Sequence, residues 1–247
     1  MRILAIGAHV ADLPKRIGGT LARYVKEGHE VYMVTLSYGE TVESNLLWKE
    51  AGMNIDAARS IREKEFLESA RILGVTPISL GFRDNFPINP LTEEKHEKVA
   101  EVIRRTKPHI LFTHWLLEVY DDHRLTAKSA CLVARDIAAD SAKRIGDSLK
   151  SWNAEDIYMF EPSIESFGGS ANITRFIEDV YVDVSDVWDK KMEALKPFWR
   201  SQTDQSDYYT LIGSYCGSQA KVKYAERFVQ YRPRRVFKSL PYQGVSV

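Results

Sequence analysis

The chain has 247 residues, and its 34 lysines and arginines balance 34 aspartates and glutamates. That length suits a single α/β domain with a full core, and the neutral balance leaves no electrostatic footprint for nucleic acid or an anionic membrane. The two cysteines, Cys131 and Cys216, stand far apart, which argues against a disulfide scaffold or a thiolate zinc site. No apolar run approaches the ~18 residues that span a bilayer; no signal peptide is expected at Met1-Arg2, so the expected location is the cytoplasm.

Arg2 to Ala8 is a continuous apolar run of strand length, the pattern of a strand buried on both faces. Gly18-Gly19 opens a helix to about Glu27, Gly28 ends it, and Glu30 to Ser37 reads as the second strand. Such a strand–helix–strand unit implies a parallel sheet with a right-handed crossover. A polar loop from Tyr38 to about Gly52 precedes a helix from Asn54 to Leu73, stopped at Gly74, and Pro77 to Phe82 is a third strand. After a loop with two prolines, Thr92 to Thr106 reads as a helix capped by Thr92, and His109 to His114 as the fourth strand. Helix from about Leu125 to Lys143, a fifth strand from Asp156 to Pro162, and a sixth strand or edge hairpin from Glu178 to Val184 follow. Asp186 to Phe198 and Leu211 to Val229 read as helices, and Arg232, Arg234 and Arg235 as a solvated basic cluster. The expected fold is one Rossmann-like, doubly wound α/β domain over residues 1–247. It has a mostly parallel sheet, a core of about 1–185 and a helical C-terminal appendage of about 186–247.

Sites in open parallel sheets form beyond the carboxyl ends of the strands. His9 and Asp12 follow strand one, Glu40 and Glu43 follow strand two, and His114, Tyr120 and His123 end or follow strand four. If strands one and four are neighbours, His9, Asp12 and His123 can converge. Two histidines and a carboxylate with one open position form a catalytic zinc arrangement, and the same set accepts iron(II) or another divalent ion. A HxxD pair is short and common, so spacing alone leaves open a core histidine at His9 and a helix-start residue at His123.

The stretch Ala8 to Ala22 resembles the opening motif of the PIG-L/LmbE-like deacetylases, Ala-His-Pro-Asp-Asp-Glu followed by a Gly-Gly-Thr helix start. Arg62 with Glu65, Leu73-Gly74-Val75, Leu80 to Asp84 and Asp122-His123 match further stretches of that family in order. The resemblance implies a Rossmann-like fold with His9, Asp12 and His123 as metal ligands, zinc being the expected ion. It also exposes two departures. The family's general-base aspartate is Ala11 here, and the first histidine of its His-Pro-Asp-His motif is Tyr120.

Alanine in that first position resembles the family's hydratase branch, the 4-oxalomesaconate (4-carboxy-2-hydroxymuconate) hydratases, and this similarity runs almost the whole chain. Its Ser-Phe-Gly-Glu-x-x-Glu-Ser loop is matched by Ser37 to Ser44, its Phe-Glu-Pro by Phe160 to Pro162, and its Val-Trp-Asp-Lys-Lys by Val187 to Lys191. The resemblance implies a metal-dependent hydratase that adds water to an activated C=C bond of a small unsaturated carboxylate, with Glu43 activating the water. A hydratase histidine that serves as catalytic acid is replaced by Ser163. His114 and Tyr120 are the nearest donor candidates, and His114 reads equally well as strand-end structure. A small anionic substrate calls for cations, and Arg16, Arg62 and Lys221 are the candidates. For Arg62 a structural ion pair weighs more, and for Lys221 solvated surface weighs the same. A homo-oligomer is expected. The alternatives are a PIG-L-type N-deacetylase with a relocated base, Glu43 itself, and a catalytically inactive metal-containing binding protein.

Overall fold

In the computed structural model of the chain the described residues are 1–84, 92–130, 134–140, 149–154, 156–162 and 175–231. Ser163, Cys131 and the cluster Arg232, Arg234 and Arg235 lie outside them. Seven strands form one sheet: β1 (Arg2–Gly7), β2 (Glu30–Ser37), β3 (Thr76–Phe82), β4 (Ile110–His114), β5 (Asp156–Phe160), β6 (Val180–Asp183) and β7 (Ala225–Tyr231), in the order β3-β2-β1-β4-β5-β7-β6. The first five run parallel, and β7 lies antiparallel to both β5 and β6. This is a mixed, mostly parallel α/β sheet.

The strand order explains where the site falls. From β1 the chain steps outward to β2 and β3, then returns to place β4 on the other side of β1. The loops leaving β1 and β4 therefore diverge and open a crevice at the carboxyl ends of these two strands. β1 is buried on both faces, with Ile3, Leu4, Ala5 and Ile6 fully inaccessible. One face packs on α1 (Asp12–Lys26), α2 (Ile55–Leu73) and α6 (Trp188–Leu195). The other packs on α3 (Glu93–Thr106) and α5 (Ala134–Ala139), while α4 (Asp121–Lys128) follows β4. Among the described residues no helix is long and apolar enough to cross a membrane.

Local chemistry sets most element ends. Asn54 caps α2 by accepting the Ala57 amide at 3.0 Å, and Gly74 ends it in the left-handed conformation. Thr92 takes the N-cap position of α3 without a side-chain cap bond. α1 begins at Asp12, six residues before the expected Gly18, and kinks at Ile17. The kink frees the amides of Gly19 and Thr20, which donate to the Glu226 carboxylate at 2.9 and 2.7 Å. Gly19 is needed for that approach, because a Cβ there would meet the Val184 Cβ at 2.8 Å.

The C-terminal part differs from the expected helix over Leu211–Val229. A helix, α7, runs Ser206–Ala220, Lys221 ends it at φ 58°, and Ala225–Tyr231 is strand β7. Ala225 to Phe228 are all buried, yet two of them are charged. Glu226 pairs with Lys191 at 2.6 Å, and Arg227 pairs with Glu161 at 2.7 Å and Glu178 at 3.1 Å. Ion pairs formed with distant residues hide the apolar signature by which a buried strand is read.

Candidate metal centre and its cavity

His9 and Asp12 lie at the turn between β1 and α1, and His123 lies in the first turn of α4. All three are buried. His9 Nδ1 is 3.4 Å from His123 Nε2 and 3.6 Å from Asp12 Oδ2, and His123 Nε2 is 3.5 Å from Asp12 Oδ1. Ligands about 2.0–2.1 Å from a tetrahedral zinc ion stand about 3.4 Å from one another. The two imidazole nitrogens and the Asp12 carboxylate, one oxygen toward each histidine, are thus spaced about as the ligands of a tetrahedral site are.

The far nitrogen of each histidine is braced by a carboxylate. His9 Nε2 lies 2.7 Å from Asp122 Oδ2 and 3.6 Å from Asp84 Oδ1, and His123 Nδ1 lies 3.4 Å from Glu118 Oε2. Such partners fix the tautomer and leave the inner nitrogens as lone-pair donors. Asp12 Oδ2 accepts the His9 amide at 2.7 Å, which holds the turn.

The charges lean toward a cation. Burial lowers the pKa of His9, but Glu43, Asp122, Asp84 and Asp12 outweigh it and raise the imidazole well above its ordinary value. Burial raises Asp12, and the imidazoles of His123, His114 and His9 outweigh that and hold it well below the usual carboxylate range. Carboxylates gathered around imidazoles in a buried pocket fit a divalent ion that takes the place of those protons.

Glu43 closes the open side of the triangle. Its Oε2 accepts from Arg62 Nη2 at 3.1 Å and Gln202 Nε2 at 3.2 Å, and its Oε1 faces His9 Nδ1 at 3.7 Å. Glu40 is turned away: it is fully buried, and its Oε1 accepts from Arg59 Nη1 at 2.8 Å. Ala11, fully buried, contributes no titratable group.

A cavity of about 400 Å³ opens on the triad. That volume lies at the lower end for small-molecule sites. His9, Asp12, Glu43, Asp122 and His123 form one part of its wall, Lys15 and Arg16 another, and Tyr120, Tyr208 and Tyr209 add aromatic surface.

Three expected site residues lie elsewhere. His114 is buried and does not line the cavity; its Nε2 accepts the Ala8 amide at 3.0 Å, and its ring stacks on His123 with centroids 4.1 Å apart. Burial, with the His123 charge, pushes its pKa down. Arg62 is fully buried and spent on Glu43, Glu65, Ser201 and the Tyr38 carbonyl, so it positions Glu43 and cannot reach a substrate. Lys221 is exposed at the C-cap of α7 and does not line the cavity. Arg16 and Tyr120 do line it.

Glu118, Gln202 and Lys15 were not singled out in the sequence. Lys15 carried a signal, since it is three residues after Asp12 and a helix starting at Asp12 puts both on one face. Glu118 and Gln202 lie in irregular segments and carried none.

The model of the family described as PIG-L: GlcNAc-PI de-N-acetylase matches residues 4–134. A 4-oxalmesaconate hydratase of Pseudomonas putida is 30% identical over 221 residues, covering 88% of this chain and 80% of the relative. A mycothiol S-conjugate amidase of Streptomyces coelicolor is 32% identical over 164 residues, covering 58% of this chain and 54% of the relative. Among solved structures, GalB, the 4-carboxy-2-hydroxymuconate hydratase of Pseudomonas putida, superposes with a TM-score of 0.85 at 29% identity over 98% of this chain and 100% of that one. The N,N'-diacetylchitobiose deacetylase of Pyrococcus horikoshii shares the fold, with a TM-score of 0.73 at 22% identity over 92% of this chain and 82% of that one.

Proposed function

The chain belongs to the PIG-L family, and from that premise we propose that it is a metal-dependent hydratase acting on an activated C=C bond of a small unsaturated carboxylate. The observation that carries the reading is Ala11. Where the deacetylase resemblance expects a general base, this chain has a buried methyl group, and Glu43 is left as the carboxylate facing the open side of the triad.

His9, Asp12 and His123 would hold the ion, zinc being the expected one. When bound, such an ion supplies a Lewis acid and lowers the pKa of a coordinated water. Glu43 Oε1 takes a proton from the attacking water, while Arg62 and Gln202 hold the other oxygen still. The water oxygen forms a bond to the electron-poor alkene carbon, and the π electrons move to the neighbouring carbon and its activating carbonyl. That carbon takes a proton from the wall. Of the two donors expected from the sequence, Tyr120 is the one on the wall, and we assign the step to it. Arg16 anchors a substrate carboxylate.

The second reading is amide hydrolysis with Glu43 as the base, which the amidase relative favours. A paired assay separates them. Zinc-loaded protein is offered enoic di- and triacids, 4-oxalomesaconate among them, and N-acetyl sugars. Loss of the enoic acid's ultraviolet absorbance without acetate release is the expected result. Acetate release from an N-acetyl sugar with no enoic acid consumed would establish the second reading instead.

A further inference from the structure

Two cations line the cavity with no carboxylate within ion-pair distance among the described residues. The four buried cations among the described residues each meet acceptors inside the protein. Arg62, Lys191 and Arg227 meet carboxylates, and Arg104 donates to the carbonyls of Ile137, Ala138 and Asp140. Lys15 and Arg16 are half-buried, line the cavity, and make no ion pair among the described residues. Arg16 lies over the Tyr209 ring, 5.8 Å from its centroid. Glu43 and Asp12 act on the Lys15 charge, and Glu161 and Glu118 on the Arg16 charge, from beyond ion-pair distance, so both cations face the cavity with no carboxylate bound to them.

Lys15 and Arg16 share the cavity wall with the metal triad, and the cavity continues past them. Two water-sized voids, about 20 Å³ and 10 Å³, adjoin the main cavity, and both share Lys15 and Tyr209 with it. Neither void touches His9, Asp12 or His123. Lys15 thus borders both the triad's part of the cavity, where Glu43 and Asp12 act on its charge, and the part that continues past Tyr209. Lys15 leaves α1 one turn after Asp12, on the same face of the helix. Burial pushes its pKa down, Arg62 and Arg16 add to this, and Glu43 and Asp12 oppose it.

We propose that Lys15 is a specificity-determining residue: with Arg16 it makes the cavity select ligands bearing two carboxylates over ligands bearing one or none. The inference rests on the carboxylate-substrate reading above and adds the number of charges read and the residue that reads the second. With Arg16 alone, one carboxylate would be held on this wall. Lys15 adds a point charge with three rotatable donors beside it, able to take a second carboxylate without the planar geometry a guanidinium demands.

Calorimetric titration of the zinc-loaded protein with glutarate, butyrate and N-acetylglucosamine tests this without any turnover. Wild type should bind glutarate about tenfold tighter than butyrate, as expected for one added charge-assisted contact. In Lys15→Met that preference should vanish while butyrate binding stays as in wild type, and Lys15→Arg should keep most of it. The melting temperatures of both variants report whether they fold, and if Lys15→Met does not, Lys15→Gln takes its place. A glutarate preference that survives removal of the charge overturns the proposal, as does equal weakening of glutarate and butyrate, or wild type that does not distinguish the two. A chain that loses glutarate selectivity with Lys15 yet hydrates nothing keeps this inference and loses the hydratase reading; a working hydratase indifferent to Lys15 does the reverse.

Discussion

Glu43 has its two oxygens in different surroundings. Arg62 and Gln202 bind Oε2, and Oε1 is left toward His9. That asymmetry suits a base, which needs one oxygen fixed and one free. Ala11 is the complement, a fully buried methyl group close to the triad. We expect Ala11→Asp to lower hydration in steady-state assays, because a new carboxylate beside Asp12 adds negative charge where an anionic substrate must approach. A several-fold rise in turnover would show that Ala11 is a damaged deacetylase base. At this scale the sequence was informative where a residue sits next to a strand end. The positions of His9, Asp12 and Glu43 beyond β1 and β2 are legible because those strands end where their apolar runs end, while the roles expected of them come from the family resemblance. For Arg62 the structural ion pair that outweighs substrate binding in the sequence is what its full burial and its bonds to Glu43 and Glu65 show.

The loop after β2 is the element that brings Glu43 to the triad. Asp84 holds it: Oδ2 accepts the amides of Thr41 and Val42 at 2.9 and 3.2 Å, while Oδ1 lies 3.6 Å from His9 Nε2. Gly39 makes the turn possible. Its φ is +68°, and a Cβ there would stand 3.1 Å from the Glu43 Cβ and 3.3 Å from the His9 Cβ. The left-handed conformation alone costs an alanine about 1–2 kcal/mol. Gly39→Ala should therefore melt about 2–8 °C lower, and its kcat should fall by more than that loss explains, because the added methyl pushes Glu43 and His9 apart. Unchanged kcat would detach this turn from catalysis. The elements that could not be read share a cause. β7 is a buried strand with Glu226 and Arg227 inside it, and their partners Lys191, Glu161 and Glu178 come from other parts of the chain. No local pattern announces a charge that is neutralised from so far away. The early start of α1 was hidden in the same way, since Gly18-Gly19 mark the segment after the kink and the amides freed there are capped by Glu226.

Across the whole molecule, the adjacency of β1 and β4 does the assembling. His9 and His123 are separated by more than a hundred residues, and the return of the chain across β1 puts their ring nitrogens 3.4 Å apart. The sequence offers that adjacency only as a condition, because successive strand–helix–strand steps do not say where the chain turns back; the bracing carboxylate Glu118 carries no signal at all, because it lies in an irregular segment between β4 and α4. A site built from two neighbouring strands that are far apart in the chain couples metal binding to folding. An ion that binds only the folded chain adds about 2.7 kcal/mol at a hundredfold excess over Kd, so chelation should lower the melting temperature by about 5–10 °C in a chain of this size, and zinc should restore it. An unchanged melting temperature would mean that nothing is held there.

The role of Glu43 is most directly tested by measuring metal content and hydration turnover together in wild type, Glu43→Gln and Glu40→Gln. About one zinc ion per chain should remain in all three, with kcat reduced ~10²–10⁴-fold in Glu43→Gln and near wild type in Glu40→Gln. A Glu43→Gln protein that keeps its zinc and turns over near the wild-type rate would contradict the assignment.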